Sequence, residues 1–169
     1  PYPLYKKPPD LMEVNLERFD SKWKGESIFG RVSGNRFVPY FDRKDIDILK
    51  TLEGKGLEIA WLKTQFERLN LHIQGSGLLQ FTDGSEAMAA FAATSGQTYR
   101  SVGLSLVGVG AVKREELTAD TLRTYLQEHP EGEAYLLSQN PRYTFFELTP
   151  LPPGGEPPGT MGRPLVAGR

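Results

Sequence analysis

Leu71-His72-Ile73-Gln74-Gly75-Ser76-Gly77 and Gly96-Gln97-Thr98-Tyr99-Arg100-Ser101-Val102-Gly103 hold the residue types best suited to contact a ligand. Glycines and serines interrupt apolar, strand-like text in both segments. Gly carries no Cβ, so a ligand can approach the backbone and use its N–H and C=O groups. Gln74, Tyr99 and Arg100 add polar reach and one flat apolar face, a combination suited to a neutral, hydroxyl-rich ligand such as a glycan. Plainer explanations stand beside this one. Gln74–Gly77 also reads as a strand corner or bulge. Gly96–Ser101 also reads as a loop in which Arg100 pairs with a carboxylate and Ser101 caps the next helix.

Glycoside cleavage needs an acid whose pKa is raised by burial or by a neighbour, commonly with a second carboxylate across the bond. Glu58, Glu67, Asp83 and Glu86 lie near these segments. Asp83 is explained by its Asp-Gly turn and Glu86 by the strand that follows. None sits in a context that desolvates it, so no catalytic residue is assigned. His72 alternates with Leu71 and Ile73 on an expected strand, which directs it to solvent or a polar partner. Trp23 and Trp61 have rings that could stack on sugars, but Trp61, within Ile59-Ala60-Trp61-Leu62, reads as core.

The chain has 169 residues, no Cys and two widely separated histidines, His72 and His129. That length can bury a core without a disulfide or a metal. A thiolate site is impossible, a zinc site is not expected, and no cofactor is implied. The net charge of −1 and the absence of a basic stripe argue against nucleic acid. Leu104–Val112 is apolar but far shorter than the ~20 residues of a membrane span.

Pattern and turn chemistry give the order of elements. Residues 28–41 read as two short strands around Gly34-Asn35. Asp42 is an N-cap, followed by Ile46, Leu49 and Leu52 as an apolar stripe. Leu57–Leu62 reads as a strand, Phe66 and Leu69 as a short helix, and Gly77–Ala93 as a hairpin turning at Asp83-Gly84. Ser101 opens a helix that breaks at Gly108 and Gly110. Thr118 caps another, with Leu122, Tyr125 and Leu126 on one face, ending at His129-Pro130. Glu131–Gln139 forms the next and stops at Asn140-Pro141, where Asn suits a left-handed helix end. Tyr143–Leu148 returns as a strand, and Pro150–Gly162 reads as a linker. Strands and helices mix without βαβ regularity, so the expected fold is α+β, a small β-barrel-like domain with packed helices.

Ile73-Gln74-Gly75-Ser76-Gly77, then Ser95-Gly96 with Tyr99-Arg100-Ser101-Val102-Gly103, then Gln139-Asn140-Pro141-Arg142-Tyr143-Thr144-Phe145-Phe146 appear in this order and spacing. The set resembles the murein lytic transglycosylase A family over nearly the whole chain, from Tyr2-Pro3-Leu4-Tyr5 to Pro164-Leu165-Val166-Ala167-Gly168-Arg169. The resemblance implies a domain inserted into a double-psi β-barrel enzyme that cleaves MurNAc–GlcNAc bonds of peptidoglycan and leaves 1,6-anhydromuramyl ends. It implies that the catalytic Asp lies past Gly168-Arg169, so that the chain alone is inactive. It places Gln74, Gly75, Ser76, Gly77, Ser95, Gly96, Tyr99, Arg100 and Ser101 at the sugar groove. Gln74 would meet an N-acetyl or hydroxyl group, Tyr99 a sugar face, and Arg100 a lactyl or peptide carboxylate. Family members commonly carry Gly-Lys-Asn-Gly-His before the Tyr-Arg-Ser motif, where this chain reads Ala93-Thr94-Ser95-Gly96-Gln97.

On this reading residues 1–149 are the inserted glycan-groove domain, and 150–169 are a linker with a return strand toward the barrel. The expected partners are peptidoglycan glycan strands and the flanking barrel domain, with the fragment monomeric. The implied place is the cell envelope, periplasm or outer membrane, although the chain carries no targeting segment. An inserted domain leaves and rejoins its host at neighbouring points, so Tyr2–Tyr5 and Pro164–Ala167 should be close. The alternatives are a stand-alone glycan-binding or structural module, and a hydrolase using two carboxylates of this chain.

Overall fold

The computed structural model describes residues 1–151 and the backbone of 165–168. Two sheets and a helical layer make up the domain. The larger sheet contains β1 (Tyr2–Tyr5), β5 (Glu58–Leu62), β6 (Gly77–Phe81), β7 (Glu86–Thr94), β8 (Thr144–Thr149) and β9 (Leu165–Gly168), in the order β1-β5-β9-β6-β7-β8. The smaller sheet is an antiparallel meander of β2 (Met12–Asn15), β3 (Ser27–Ser33) and β4 (Arg36–Pro39). Among the described residues there are five α-helices, α1 (Arg43–Asp47), α2 (Gln65–Gln74), α3 (Val102–Gly108), α4 (Ala119–Glu128) and α5 (Glu133–Ser138), with three short 3-10 turns besides.

The barrel expectation is corrected. Strands β1 and β8 approach each other but share no hydrogen-bonded ladder, so the sheet stays open. Pro3 of β1 has no N–H to offer a closing strand, and its carbonyl accepts from Arg68 Nη1 of α2 at 3.3 Å. Strand β9 enters between β5 and β6, with Leu62 facing both Tyr2 of β1 and Ala167 of β9. The two end segments are therefore neighbours across β5, and they do not pair with each other. Pro164 and most of the expected 150–162 linker lie outside the described residues.

Capping chemistry sets the helix starts. Asp42 and Asp45 form a reciprocal capping box on α1, and Thr64 and Glu67 form another on α2. Helix α2 is the central strut. Leu71 packs with Leu4, Leu62, Leu79, Phe81 and Phe146 on the inner face of the larger sheet. Phe66 and Leu69 pack with Val102, Leu126 and Leu137 of the helical layer. Truncating any of these buried side chains to Ala would cost about 2–5 kcal/mol.

Four local expectations are revised here. Leu71–Gln74 is the last turn of α2, and Gly75 closes it in the left-handed region (φ 78°), its N–H donating to Leu71 O at 2.8 Å. His72 is consequently on a helix and buried at 7% exposure, so its strand placement is revised, while the expected polar partner is present in Arg43. Leu49 falls beyond the short α1 and is exposed, while Ile46 and Leu52 are core. Trp61 is only half-buried, because strand alternation gives Ala60 and Leu62 to the interior.

A polar cluster lies between α1, α2 and the turn that enters β8. Arg43 is 1% exposed and Arg68 is 3% exposed. Asp47 Oδ2 forms ion pairs with Arg68 Nη2 at 2.9 Å and Arg43 Nη1 at 3.7 Å. Arg43 grips three successive carbonyls. Its Nε donates to Asn140 O at 3.0 Å, its backbone N–H to Pro141 O at 2.9 Å, and its Nη2 to Arg142 O at 2.7 Å. Nη2 also lies 3.0 Å from His72 Nδ1. Burial, then the cations Arg43 and Arg68, hold His72 well below its ordinary value near 6.5.

Arg43→Met should destabilise the chain by about 3 kcal/mol or more in urea unfolding, because buried carbonyls and Nδ1 lose a charged donor together. Arg43→Lys should recover less than half, since an ammonium lacks the planar fork. The neutral, buried His72 also sets a pH dependence. Its folded pKa lies below its unfolded value, so unfolding takes up a proton in mild acid. Stability should therefore fall as pH drops below about 6.5, by up to about 1.4 kcal/mol per unit until the folded pKa is reached. Urea midpoints between pH 7 and 5 should carry this slope, and His72→Gln should flatten it.

Candidate functional site

The end of α2, the Tyr99 loop, the 140–142 turn and the β7–β8 edge meet at two adjoining concavities. The larger, about 360 Å³, is lined by His72, Ile73, Gly75, Phe91, Tyr99, Asn140, Arg142 and Thr144. The smaller, about 280 Å³, lies between α2 and the start of α3 and α4, with Phe66, Asn70, Ser101, Val102, Thr118 and Leu122 on its wall. Ile73 and Tyr99 belong to both, so they form the ridge between them. Each is 46% exposed.

Local sequence explains these positions. The register of β7 on β8 slips between Phe91 and Ala93, and this bulge leaves Phe91 51% exposed on the cavity wall while Ala93 stays buried. Bulges commonly re-aim a side chain in this way. Asn140, 2% exposed, takes no left-handed φ. The expectation of a left-handed helix end at Asn140 is corrected: its side chain carries the role. Oδ1 accepts from Arg100 N at 3.2 Å and from Arg142 N at 3.3 Å. Thus the carbonyl of Asn140 is held by Arg43, and its amide oxygen holds the loop carrying Tyr99.

Three of the sequence-derived residues, Gly75, Tyr99 and Ser101, line the paired cavities. Ser101 also caps α3, accepting from Leu104 N at 3.2 Å. Gln74 is exposed on the last turn of α2, Ser76 is half-buried, and Arg100 is exposed beside Tyr99. Gly77 is buried, and a Cβ there would meet Leu71 at 2.8 Å. Ser95, 1% exposed, spends its groups inside the chain: Tyr143 N donates to its Oγ and Ser95 N to Tyr143 O, each at 2.9 Å. Gly96 adopts φ +89°, and a Cβ there would strike Phe29 at 2.5 Å. Gln97, at the departure from the common family text, donates to Tyr40 O at 2.6 Å and receives the Ser95 hydroxyl.

Sequence reasoning missed His72, Phe91, Arg142 and Thr144 as cavity residues, and Arg43 as the anchor beneath them. The Thr64-x-x-Glu67 pair, read as a capping box, would have marked the start of α2 at Gln65, although it does not fix where that helix ends. Among the described residues no carboxylate lines either cavity. Glu67 caps α2, Asp83 accepts from Ser85 N in its turn, and Gln80 reaches Glu86 at 3.5 Å. Burial raises the Glu133 pKa, but its carboxylate accepts from Gln65 at 3.0 Å and lies outside the cavities. Among the described residues no group of three or more His, Asp or Glu gathers as a metal site, and no helix is long and apolar enough to cross a membrane.

Known proteins share this architecture. Membrane-bound lytic murein transglycosylase A of Escherichia coli K12 is 33% identical over 113 residues, covering 64% of this chain and 31% of the relative. The Vibrio cholerae protein of the same name is 28% identical over 117 residues, covering 68% of this chain and 31% of its own length. The crystal structure of a membrane-bound lytic murein transglycosylase from Agrobacterium tumefaciens matches 92% of this chain and 44% of that one, with TM-score 0.78 and 29% identity. MltA from Neisseria gonorrhoeae, 23% identical, matches in fold over 92% of this chain and 47% of its own, with TM-score 0.77. The chain thus spans about a third of the curated relatives it matches and less than half of these solved chains. A model of the MltA specific insert domain matches residues 1–147, and the chain belongs to that family.

Proposed function

We propose that this domain forms one wall of a peptidoglycan groove in a lytic transglycosylase and contributes no acid to the reaction. The observation that carries this reading is the composition of the paired cavities: two exposed aromatic rings, arginine and neutral hydrogen-bonding groups, with no carboxylate among the described residues. Phe91 and Tyr99 offer flat faces to sugar rings, and the ridge at Tyr99 divides two subsites. Arg142 on the wall and the exposed Arg100 are the cations available to a lactyl or peptide carboxylate. Gln74 and Ser76, at the rim of the α2 terminus, reach hydroxyl or acetamido groups of a longer strand.

In the complete enzyme an aspartic acid of the neighbouring barrel domain would protonate the glycosidic oxygen. The MurNAc 6-hydroxyl would then attack C1 of its own sugar as the C1–O bond to GlcNAc breaks, its proton passing to the aspartate that has just given one up, so that no water is consumed. This domain's part is to hold the strand in register for that attack. Two observations support an insertion into such a host: β1 and β9 lie on either side of β5, and the relatives are more than twice as long as the matched region. The site of action would be the cell envelope, with the flanking barrel as partner and the isolated domain a monomer. A stand-alone glycan-binding module is the second reading, favoured by the same acid-free cavities.

N-acetylchitooligosaccharides should shift the amide signals of Gly75, Tyr99, Arg100 and Ser101 first in an NMR titration. Shifts centred on the Asp83–Gly84 turn would remove this site. Tyr99→Ala and Phe91→Ala should each weaken binding by up to about tenfold, the scale of one aromatic contact. The isolated chain should release no 1,6-anhydromuramyl products from purified peptidoglycan by mass spectrometry. Their appearance from contaminant-free protein would contradict the division of labour proposed here.

A further inference from the structure

We infer that His72 is a specificity-determining ligand contact, its Nε2–H donating to the acetamido carbonyl of an N-acetylated sugar seated in the larger cavity. This deepens the glycan reading above and rests on it. Arg43 Nη2 lies 3.0 Å from His72 Nδ1, and a guanidinium can only donate. Nδ1 therefore carries the lone pair, and the proton of the neutral ring sits on Nε2. That nitrogen is buried and has no hydrogen-bond partner among the described residues. A buried donor left unpaired is costly and calls for an explanation. Here the explanation lies next to it, because His72 is part of the cavity wall.

The neighbouring groups narrow the ligand. His72 O already accepts from the Thr144 hydroxyl at 3.2 Å, and Asn140 Oδ1 already accepts two backbone N–H groups. The wall offers donors at Nε2–H and Arg142, and the Tyr99 and Thr144 hydroxyls can accept as well as donate. Nε2–H can only donate, so it calls for an acceptor oxygen, and a carbonyl oxygen accepts without bringing a proton of its own. Ile73 and Phe91 supply apolar surface for the acetamido methyl. The His72 ring stands edge-on to Tyr143 at 4.6 Å and tilted to Phe146 at 5.6 Å, which fixes its orientation. Nε2 is closed to water in the free chain, so the bond forms through a small adjustment at the wall when the ligand enters.

The test is a ¹⁵N NMR titration of the His72 side chain with tri-N-acetylchitotriose, with the deacetylated glucosamine trimer and with N-acetylmuramic acid. The Nε2–H signal should move with the N-acetylated sugars and stay fixed with the deacetylated trimer. His72→Phe should weaken tri-N-acetylchitotriose binding about tenfold, while His72→Gln, which keeps an acceptor for Arg43 and a donor for the ligand, should retain most of it. If the Gly75 and Tyr99 amides shift while the Nε2–H signal does not, the inference is overturned and the glycan reading stands. A response to the deacetylated trimer equal to that of the acetylated one overturns it too. Absence of any shift with all three sugars removes both. The wild-type measurement decides even if His72→Phe fails to fold.

Discussion

One buried guanidinium fixes the geometry of this domain. Arg43 holds the carbonyls of residues 140, 141 and 142 and the inner nitrogen of His72, with Asp47 one helical turn away to balance its charge. Stripping a cation of water is expensive, and it is tolerated only where its donors find acceptors and a carboxylate stands close. Those demands tie α1, the end of α2 and the strand entering the larger sheet into one unit. Most of what lines the larger cavity hangs from that unit, while Phe91 is placed by the bulge of β7 on β8. Asn140, gripped through its carbonyl, in turn holds the Arg100 N–H and so the Tyr99 loop.

The same cluster sets the electrostatics of the groove. Two buried arginines share one buried carboxylate, which leaves an excess of positive charge behind the cavity wall. Tyr143, wholly buried between them, has its hydroxyl pKa raised by desolvation and remains a neutral phenol. His72 is kept neutral by burial and by both cations. The paired cavities are therefore lined by neutral groups and arginine over a positive foundation, an environment suited to oxygen acceptors and carboxylates. It is a poor place to keep an acid poised for proton donation, which agrees with a division of labour in which the acid comes from elsewhere.

Much of the fold was legible from turn and cap chemistry. Gly34-Asn35, Asp42, Asp83-Gly84, Ser101, Thr118 and Pro130 stand where the sequence suggested, because each signal acts within a few residues. The Gln-Gly-Ser-Gly segment reads from sequence as a strand corner or bulge, because glycine interrupts strands and ends helices alike and no local signal separates the two. The decision came from Leu71 and Phe66 packing on opposite neighbours, a tertiary fact. The open sheet was equally hidden, since closure depends on what meets the Pro3 edge. In the site, Tyr99 and Ser101 could be found from residue type. Arg43 and Arg142 could not, because an arginine on a short amphipathic helix or a loop reads as a solvated charge until its partners from residue 140 onward are brought against it. Phe91 reached the cavity through a one-residue bulge that no local pattern announces.

The central claim is that the ridge at Ile73 and Tyr99 divides two successive sugar subsites held in place by the Arg43 cluster. A crystal structure of the chain with an N-acetylated chitooligosaccharide addresses it most directly. The account predicts sugar rings on both sides of Tyr99, one against Phe91 and one toward Ser101, with the Arg43 bonds to residues 140–142 unchanged. Sugar bound elsewhere, or bound there only after those bonds have rearranged, would contradict it.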